Sequence, residues 1–333
     1  MASNNVTGVR GNHDQKVIEW RGWLKWISTI PCASQWLNNL ENQWRETQAN
    51  EGDDVTLQSW LRRARKSASH KDKSCWQLVP NDWLLFDDHY SIARDMSELQ
   101  YQYLLKLPLR LYVPSAHAFI VHAGLLPYNP HYPVDDTSKQ PLARLPDLPP
   151  RKNAESFLRI MDNNLLDIPN DPSSSTTRPS HKYDRKIEQL RNLQEIALLT
   201  EIPQNTDPWV TLNIRSIANG KVKRRSSKGK PWSKIWEEHM QSCVGYDKHK
   251  TTNEALSFYE DNSNQESEEY DRHGLKRLNL LCYPSTTIYG HSAARGLNAK
   301  RWSFGLDSGC VSCLACIYTP MLIVPIGRSI IRN

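Results

Sequence analysis

Gly8-Val9-Arg10-Gly11-Asn12-His13-Asp14-Gln15-Lys16-Val17 is the stretch on which the reading of the chain turns. A short apolar run from Val6 meets a glycine and then polar side chains able to meet a metal, which predicts a strand passing through a tight turn into a helix. Open α/β sheets carry their chemistry at such strand ends. Asn12 offers a neutral carbonyl oxygen to a cation. His13 exchanges a proton near neutral pH, and Asp14 puts negative charge into a helix's first turn, where the helix dipole favours it.

Two later stretches repeat the arrangement. Leu109, Leu111 and Val113 alternate with other residues, a turn follows at Pro114-Ser115-Ala116-His117, and Ala118-Phe119-Ile120-Val121-His122-Ala123-Gly124-Leu125 continues as a strand. This predicts a hairpin that stops at His122, with Gly124 letting the backbone bend away. Thr286-Thr287-Ile288-Tyr289-Gly290-His291-Ser292 predicts a third strand ending in a glycine and a histidine. Three strand ends separated by long connections can converge on one sheet edge.

In order and wording, Gly11-Asn12-His13-Asp14, His122-Ala123-Gly124 and Gly290-His291 resemble the calcineurin-like metallophosphoesterases. The flanking words, including His122-Ala123-Gly124-Leu125-Leu126-Pro127, Gly290 to Leu297 and Gly305-Leu306-Asp307-Ser308-Gly309-Cys310-Val311, resemble the fungal branch that contains a vacuolar endopolyphosphatase. The resemblance spans roughly residues 6 to 311. It implies an α/β fold of two mixed sheets packed face to face with helices outside, here missing its first strands. Residues 1–310 would form an incomplete metallophosphoesterase domain with a cap-like insertion around 128–280, followed by an atypical apolar tail, 311–333.

The implied activity is hydrolysis of a phosphoester or phosphoanhydride by metal-activated water, with two divalent ions (Zn, Mn, Co, Fe or Mg) about 3.5–4 Å apart. Carried over by position, Asn12, His122 and His291 are ligands of the second metal, and His13 is the general acid or electrostatic clamp at the leaving oxygen. Arg10 and Arg295 are candidate phosphate contacts, because a guanidinium matches two phosphoryl oxygens at once. The family's Asp-x-His and Gly-Asp-x-x-Asp, which hold the first metal and bridge the pair, have no counterpart in the ten residues before Gly11. Asp87-Asp88-His89 opens a helical pattern and does not end a strand, so it is not read as their substitute. One metal is therefore supported and the other is not, and the chain as written is expected to be partly or wholly inactive.

The implied partner is a phosphate-containing substrate such as inorganic polyphosphate, with no specific nucleic acid. Two alternatives stay open: a catalytically impaired fragment or pseudoenzyme of the same fold, and a polyanion-binding module using the basic residues 221–234. Localisation is vacuolar by the resemblance or cytoplasmic, since Met1 to Asn5 shows no targeting pattern.

Composition is compatible with this and does not demand it. The 333 residues are 38% hydrophobic, enough for a sizeable core, and 42 basic against 36 acidic residues give +6. A balance so mild favours polyanionic partners only weakly. Twelve Trp and thirteen Tyr against five Phe predict many rings with an N–H or O–H at water or a partner. Seven cysteines, an odd number, argue for reduced thiols and against a disulfide scaffold. Cys310, Cys313 and Cys316 lack the fourth cysteine an iron–sulfur pattern needs and read as incidental spacing.

Periodicity supplies the rest. Trp20, Trp23, Leu24 and Ile27, then Trp36, Leu37, Leu40 and Trp44, predict two amphipathic helices broken at Pro31, their rings assigned to the core and not to base stacking. Residues 45 to 56 read as a loop, Leu57 begins a short helix, and Ile92, Met96, Leu99 and Tyr103 predict one helical face across 89–105. Residues 127–150 are proline-rich loop. Short helices are expected around Phe157–Leu166 and Ile187–Ala197, and a strand at Val210, Leu212 and Ile214. The basic run 221–234 reads as a solvated loop bracketed by Gly220, Gly229 and Pro231. Pro320 and Pro325 interrupt the apolar tail, so no membrane span is expected.

Overall fold

The computed structural model describes residues 8–51, 54–147, 182–246 and 278–307. The helix expected around Phe157–Leu166, the Ser173–Thr177 tract, the acidic stretch 260–271, Cys310, Cys313, Cys316 and the apolar tail lie outside them. The chain divides into two compact units, Met1–Leu107 and Pro108–Asn333.

The described part of the first unit is helical: α1 (Asn12–Ile27), α2 (Pro31–Glu51), α3 (Leu57–Ser67), α4 (His70–Trp76), α5 (Asp88–Asp95) and α6 (Glu98–Lys106). α1 begins where the sequence places it, but the strand expected before it is not present in the described residues 8–10, so Asn12 and His13 open a helix and do not end a strand. Gly11 is extended, and Asp14 Oδ2 turns back to accept the Gly11 N–H at 2.8 Å, satisfying a backbone donor that the helix cannot. Pro31 heads α2, a position where its missing N–H is no loss. α2 continues to Glu51, which corrects the loop expected from residue 45: Arg45 to Glu51 contain no Gly or Pro, and polarity alone does not end a helix.

The single helix expected over 89–105 is two. Met96 is extended, and Ser97 caps α6 by accepting the Gln100 N–H while Gln100 Oε1 accepts that of Ser97. The expected face is not continuous: α5 buries Tyr90 and Ala93 and leaves Ile92 exposed, and Leu99 on α6 is exposed as well. The core is built from rings. Trp20 meets Trp23 and Tyr90 edge to face, with centroids 5.3 and 5.2 Å apart, the arrangement aromatic quadrupoles prefer. Trp23 Nε1 donates to Leu78 O at 2.9 Å. Buried Glu41 accepts from Arg94 and Arg45, each at 2.7 Å.

The second unit is α/β. Strands β1 (Arg110–Val113), β2 (Ala118–Val121), β6 (Thr286–Tyr289), β8 (Ser303–Gly305) and β7 (Asn298–Ala299) lie in that order in a five-stranded sheet. β2, β6 and β8 run parallel, and the two edge strands are antiparallel to their neighbours. A smaller sheet has the order β4 (Lys221–Lys223), β3 (Ser216–Ala218), β5 (Lys230–Pro231). Helices α7 (Lys182–Thr200), α8 (Pro203–Thr206), α9 (Pro208–Asn213) and α10 (Trp232–Gln241) complete it. Because side chains alternate along a strand, one row of the larger sheet, Tyr112, Phe119, Thr287 and Ser303, is buried together. Tyr112 and Phe119 share a hydrophobic cluster with Leu198, Ile202, Trp232 and Trp236.

Three expectations are corrected here. Val210 and Leu212 lie on a helix, not a strand, because Pro208 occupies its first turn and Asp207 Oδ1 accepts the Trp209 N–H at 2.8 Å. The basic run is a loop only over residues 224–229, which join β4 to β5 through a short 3-10 turn, Ser226–Lys228; before it, Asn219 and Gly220, at φ 50° and 69°, form a two-residue turn between β3 and β4, with Ala218 opposite Lys221. Positive φ at both central residues suits the twist of a tight hairpin. Cys243 and Cys282 form a disulfide, against the expectation of reduced thiols. Backbone pairing beside it, Leu280 N–H to Ser242 O and Gly245 N–H to Cys282 O, both at 2.9 Å, holds the two segments in register. No helix among the described residues is long and apolar enough to cross a membrane.

Candidate functional site

The site follows from strand register. Val121 of β2 lies opposite Tyr289 of β6 in a parallel pair, so the two strands stop level and the next residues, His122 and Gly290-His291, leave the sheet at the same edge. The Gly290 N–H donates to His122 O at 2.9 Å, carrying the ladder one step further. His122 Nε2 lies 3.0 Å from His291 Nδ1, with ring centroids 4.8 Å apart and planes at 68°. β8 stops level as well, since Tyr289 faces Gly305 and the Leu306 N–H donates to Tyr289 O at 2.8 Å. Asp307 comes next, and its Oδ2 accepts the Ser292 N–H. Three neighbouring parallel strands thus deliver His122, His291 and Asp307 to one carboxyl edge, the place where such sheets bind ligands.

His291 has φ 75°, a left-handed conformation that a histidine keeps only under outside constraint. The constraint is visible on both sides: Arg215 Nη2 donates to His291 O at 3.0 Å, and Asp307 holds the next backbone N–H. On the other strand, a Cβ added to Gly124 would lie 2.2 Å from Cε2 of the buried Trp232 ring. Gly124→Ala is therefore expected to destabilise the chain by about 1–3 kcal/mol through overpacking and to displace the His122 loop; urea unfolding and the His122 ring resonances measure the two effects.

Two nitrogens bound to one cation at about 2.1 Å and at a right angle lie about 3.0 Å apart. The His122–His291 separation is that of a hydrogen bond between the rings, and it is also close enough for the pair to supply two adjacent positions of a divalent ion. Among the described residues no group of three or more His, Cys, Asp or Glu side chains converges as a metal set. Asp307 reaches the same edge but its Oδ2 is engaged by the Ser292 N–H, and two imidazoles alone hold a divalent ion weakly.

Asn12 and His13 belong to the first unit and His122 and His291 to the second. Asn12 is the first residue of α1 and half-buried, and His13 is exposed. His13 Nδ1 lies 2.7 Å from His89 Nε2 with the rings stacked at 10°, and His89 Nδ1 is 3.5 Å from Asp87 Oδ2. Arg10 uses its guanidinium inside its own unit, on Gln15 Oε1 at 3.1 Å and Leu105 O at 2.6 Å, and burial pulls its pKa below the usual arginine value. Arg295 is half-buried in the turn after His291, where its backbone N–H donates to Ser292 O at 2.7 Å.

Three residues at these places escaped the sequence. Asp307 stands two residues past Gly305, where the strand-then-polar pattern that marks His122 and His291 recurs. Asp87-Asp88-His89 opens α5, as its pattern predicts, and a helix presents a histidine as a strand end does. Arg215 carries no local signal.

The fold and site define an α/β protein with two histidines paired at the carboxyl edge of parallel strands. No protein-family model matches the chain, and no curated protein matches it. A crystal structure of a candidate diadenosine tetraphosphatase is similar over 67% of this chain at 15% identity, with a TM-score of 0.27. The chain spans half the length of that protein, 50%. A likeness that loose says nothing of substrate or chemistry.

Proposed function

We propose that the chain is a metal-dependent hydrolase of phosphoester or phosphoanhydride bonds, of the calcineurin-like type, acting on a polyphosphate-like substrate. The observation that carries the proposal is the His122–His291 pair, 3.0 Å apart at the carboxyl edge of β2 and β6. A divalent ion bound there would polarise a phosphoryl oxygen and make water nucleophilic at neutral pH. His122 and His291 are its proposed ligands. His13 is the general acid that the resemblance implies, and within its own unit His89, backed by Asp87, fixes the orientation of its ring by taking one ring nitrogen. Asp307 and Arg215 keep His291 in its left-handed conformation. The disulfide favours an oxidising compartment, such as the vacuole, over the cytoplasm.

A second reading is a non-catalytic member of the same fold, favoured by the absence, among the described residues, of three or more His, Cys, Asp or Glu side chains converging as a metal set. Metal content by mass spectrometry, with turnover of p-nitrophenyl phosphate and polyphosphate in Mn, Co or Zn, separates the two. The hydrolase reading expects bound metal and turnover that His13→Ala reduces by about 100-fold or more, the usual size of a general-acid contribution. Purified protein that binds no metal and turns over neither substrate leaves the second reading standing.

A further inference from the structure

We infer that the β3–β4–β5 hairpin sheet is an anion-binding track for a linear chain of phosphate groups, leading away from the paired histidines. This rests on the hydrolase reading only for its purpose; the binding itself does not require turnover. Lys221, Arg224, Arg225, Lys228, Lys230 and Lys234 are all exposed. Among the described residues the only ion pair any of them makes is Lys230 with Glu238. Five cations with no ion pair among the described residues therefore stand within fourteen residues, and the local potential they create attracts polyanions.

Backbone pairing holds the two ends of this surface in place. The Asn219-Gly220 turn fixes the β3–β4 register, and β5 pairs on the other side of β3 with Ile217 opposite Lys230. Gly229 permits the close approach, because a Cβ there would come within 2.3 Å of Ile217 O. Preordered cations lose less conformational freedom on binding than those of a mobile loop.

Arg215 joins this sheet to the site. Its side chain donates to His291 O at 3.0 Å, its backbone N–H donates to Lys223 O at 3.0 Å, and its carbonyl accepts from the Trp232 N–H at 3.4 Å. One residue thus touches the loop that carries His291, the end of β4 and the start of α10. Arg224 and Arg225 follow directly after Lys223, so the basic row starts beside the histidine loop.

The chemistry of the row selects a bare phosphate chain over single-stranded nucleic acid. Nucleic-acid grooves of this kind interleave cations with aromatic rings on which bases stack. Residues 215–231 contain no Phe, Tyr, Trp or His, and Trp232 and Trp236 are buried in the core.

The test uses the whole chain in EDTA, with inorganic polyphosphate as the probe and binding measured as a function of NaCl. If about four phosphates are neutralised, the single-strand coefficient of about 0.7 per contact gives about a 50-fold loss of affinity between about 50 and 200 mM salt. The variant Lys221→Gln/Arg224→Gln/Arg225→Gln/Lys228→Gln, checked for an unchanged melting transition, is expected to bind at least about 30-fold more weakly and to lose most of that salt dependence. Should it melt early, the single variants Lys221→Glu and Arg224→Glu are each expected to reduce the salt slope by about one contact. Unchanged binding in the correctly folded variant overturns the inference, as does an oligothymidylate of equal phosphate count binding as tightly. Turnover of p-nitrophenyl phosphate in Mn is expected to be equal in wild type and the fourfold variant. Absence of turnover in both refutes the hydrolase reading alone, leaving the track judged on binding.

Discussion

His291→Ala is expected to abolish detectable divalent-metal binding at the paired-histidine edge and to lower turnover of p-nitrophenyl phosphate by at least about 100-fold. Loss of a group that merely orients a metal ligand already costs about 10–100-fold, and here one of only two imidazoles at the edge is removed. The exposed His70→Ala on α4 controls for adventitious binding by histidines and is expected to change neither quantity. Asp307 separates a ligand role from a positioning one. Asp307→Asn keeps an oxygen for the Ser292 N–H and is expected to retain metal affinity within about threefold, whereas Asp307→Ala frees the loop and loses about 10-fold or more. Calorimetric titration with Zn or Mn in the absence of substrate reads all four variants. Equal affinities in wild type and His291→Ala would remove the paired histidines from any metal role.

What the sequence made legible was local. The alternation from Leu109 to Val121 around a four-residue turn fixed β1, β2 and the position of His122, because strand period and turn chemistry agree there. The helices on either side of Pro31 were equally plain. Two errors had signals that were read the wrong way. Asp207-Pro208 is a helix start, and the apparent alternation of Val210, Leu212 and Ile214 is too short to outweigh it; Asn219-Gly220 is a hairpin turn, not a mark of mobility. Other features had no local signal at all. The Cys243–Cys282 disulfide spans 39 residues, and the meeting of His13 with His89 depends on how α5 packs against α1. Asp307 stands between these cases, since its strand-end position was readable but its bond to Ser292 was not.

The opposite end of the same strands carries the largest expected stability effect, that of Glu195→Ala. Glu195 is buried on α7 at the edge where β2 and β6 begin, just as the paired histidines stand where those strands finish. Its Oε2 accepts from Tyr112 Oη at 2.6 Å, its Oε1 from Ser285 Oγ at 2.6 Å, and His117 Nδ1 lies 3.2 Å away with Arg191 Nε at 3.4 Å. Burial first, and the Glu195 charge second, push the Tyr112 phenol far above its ordinary pKa, so it remains a proton donor to the carboxylate. Serine and histidine both address the carboxylate and not each other, so the group is a clamp and not a nucleophilic triad. It ties Tyr112 in β1, His117 in the hairpin turn and Ser285 at the start of β6 to one helix. Alanine leaves a buried hydroxyl, a buried phenol and the Arg191 guanidinium without their shared acceptor, and breaking a buried pair on one side costs about 3–5 kcal/mol. Against a total stability of about 5–15 kcal/mol for a typical domain, that brings the second unit close to unfolding. Glu195→Gln keeps the volume and one carbonyl acceptor, and is expected to cost about 1–3 kcal/mol. Urea unfolding followed by tryptophan fluorescence orders the three proteins; a Glu195→Ala chain within 1 kcal/mol of wild type, taking about that figure as the size of one ordinary hydrogen bond, would show that the clamp does not hold the strands in register.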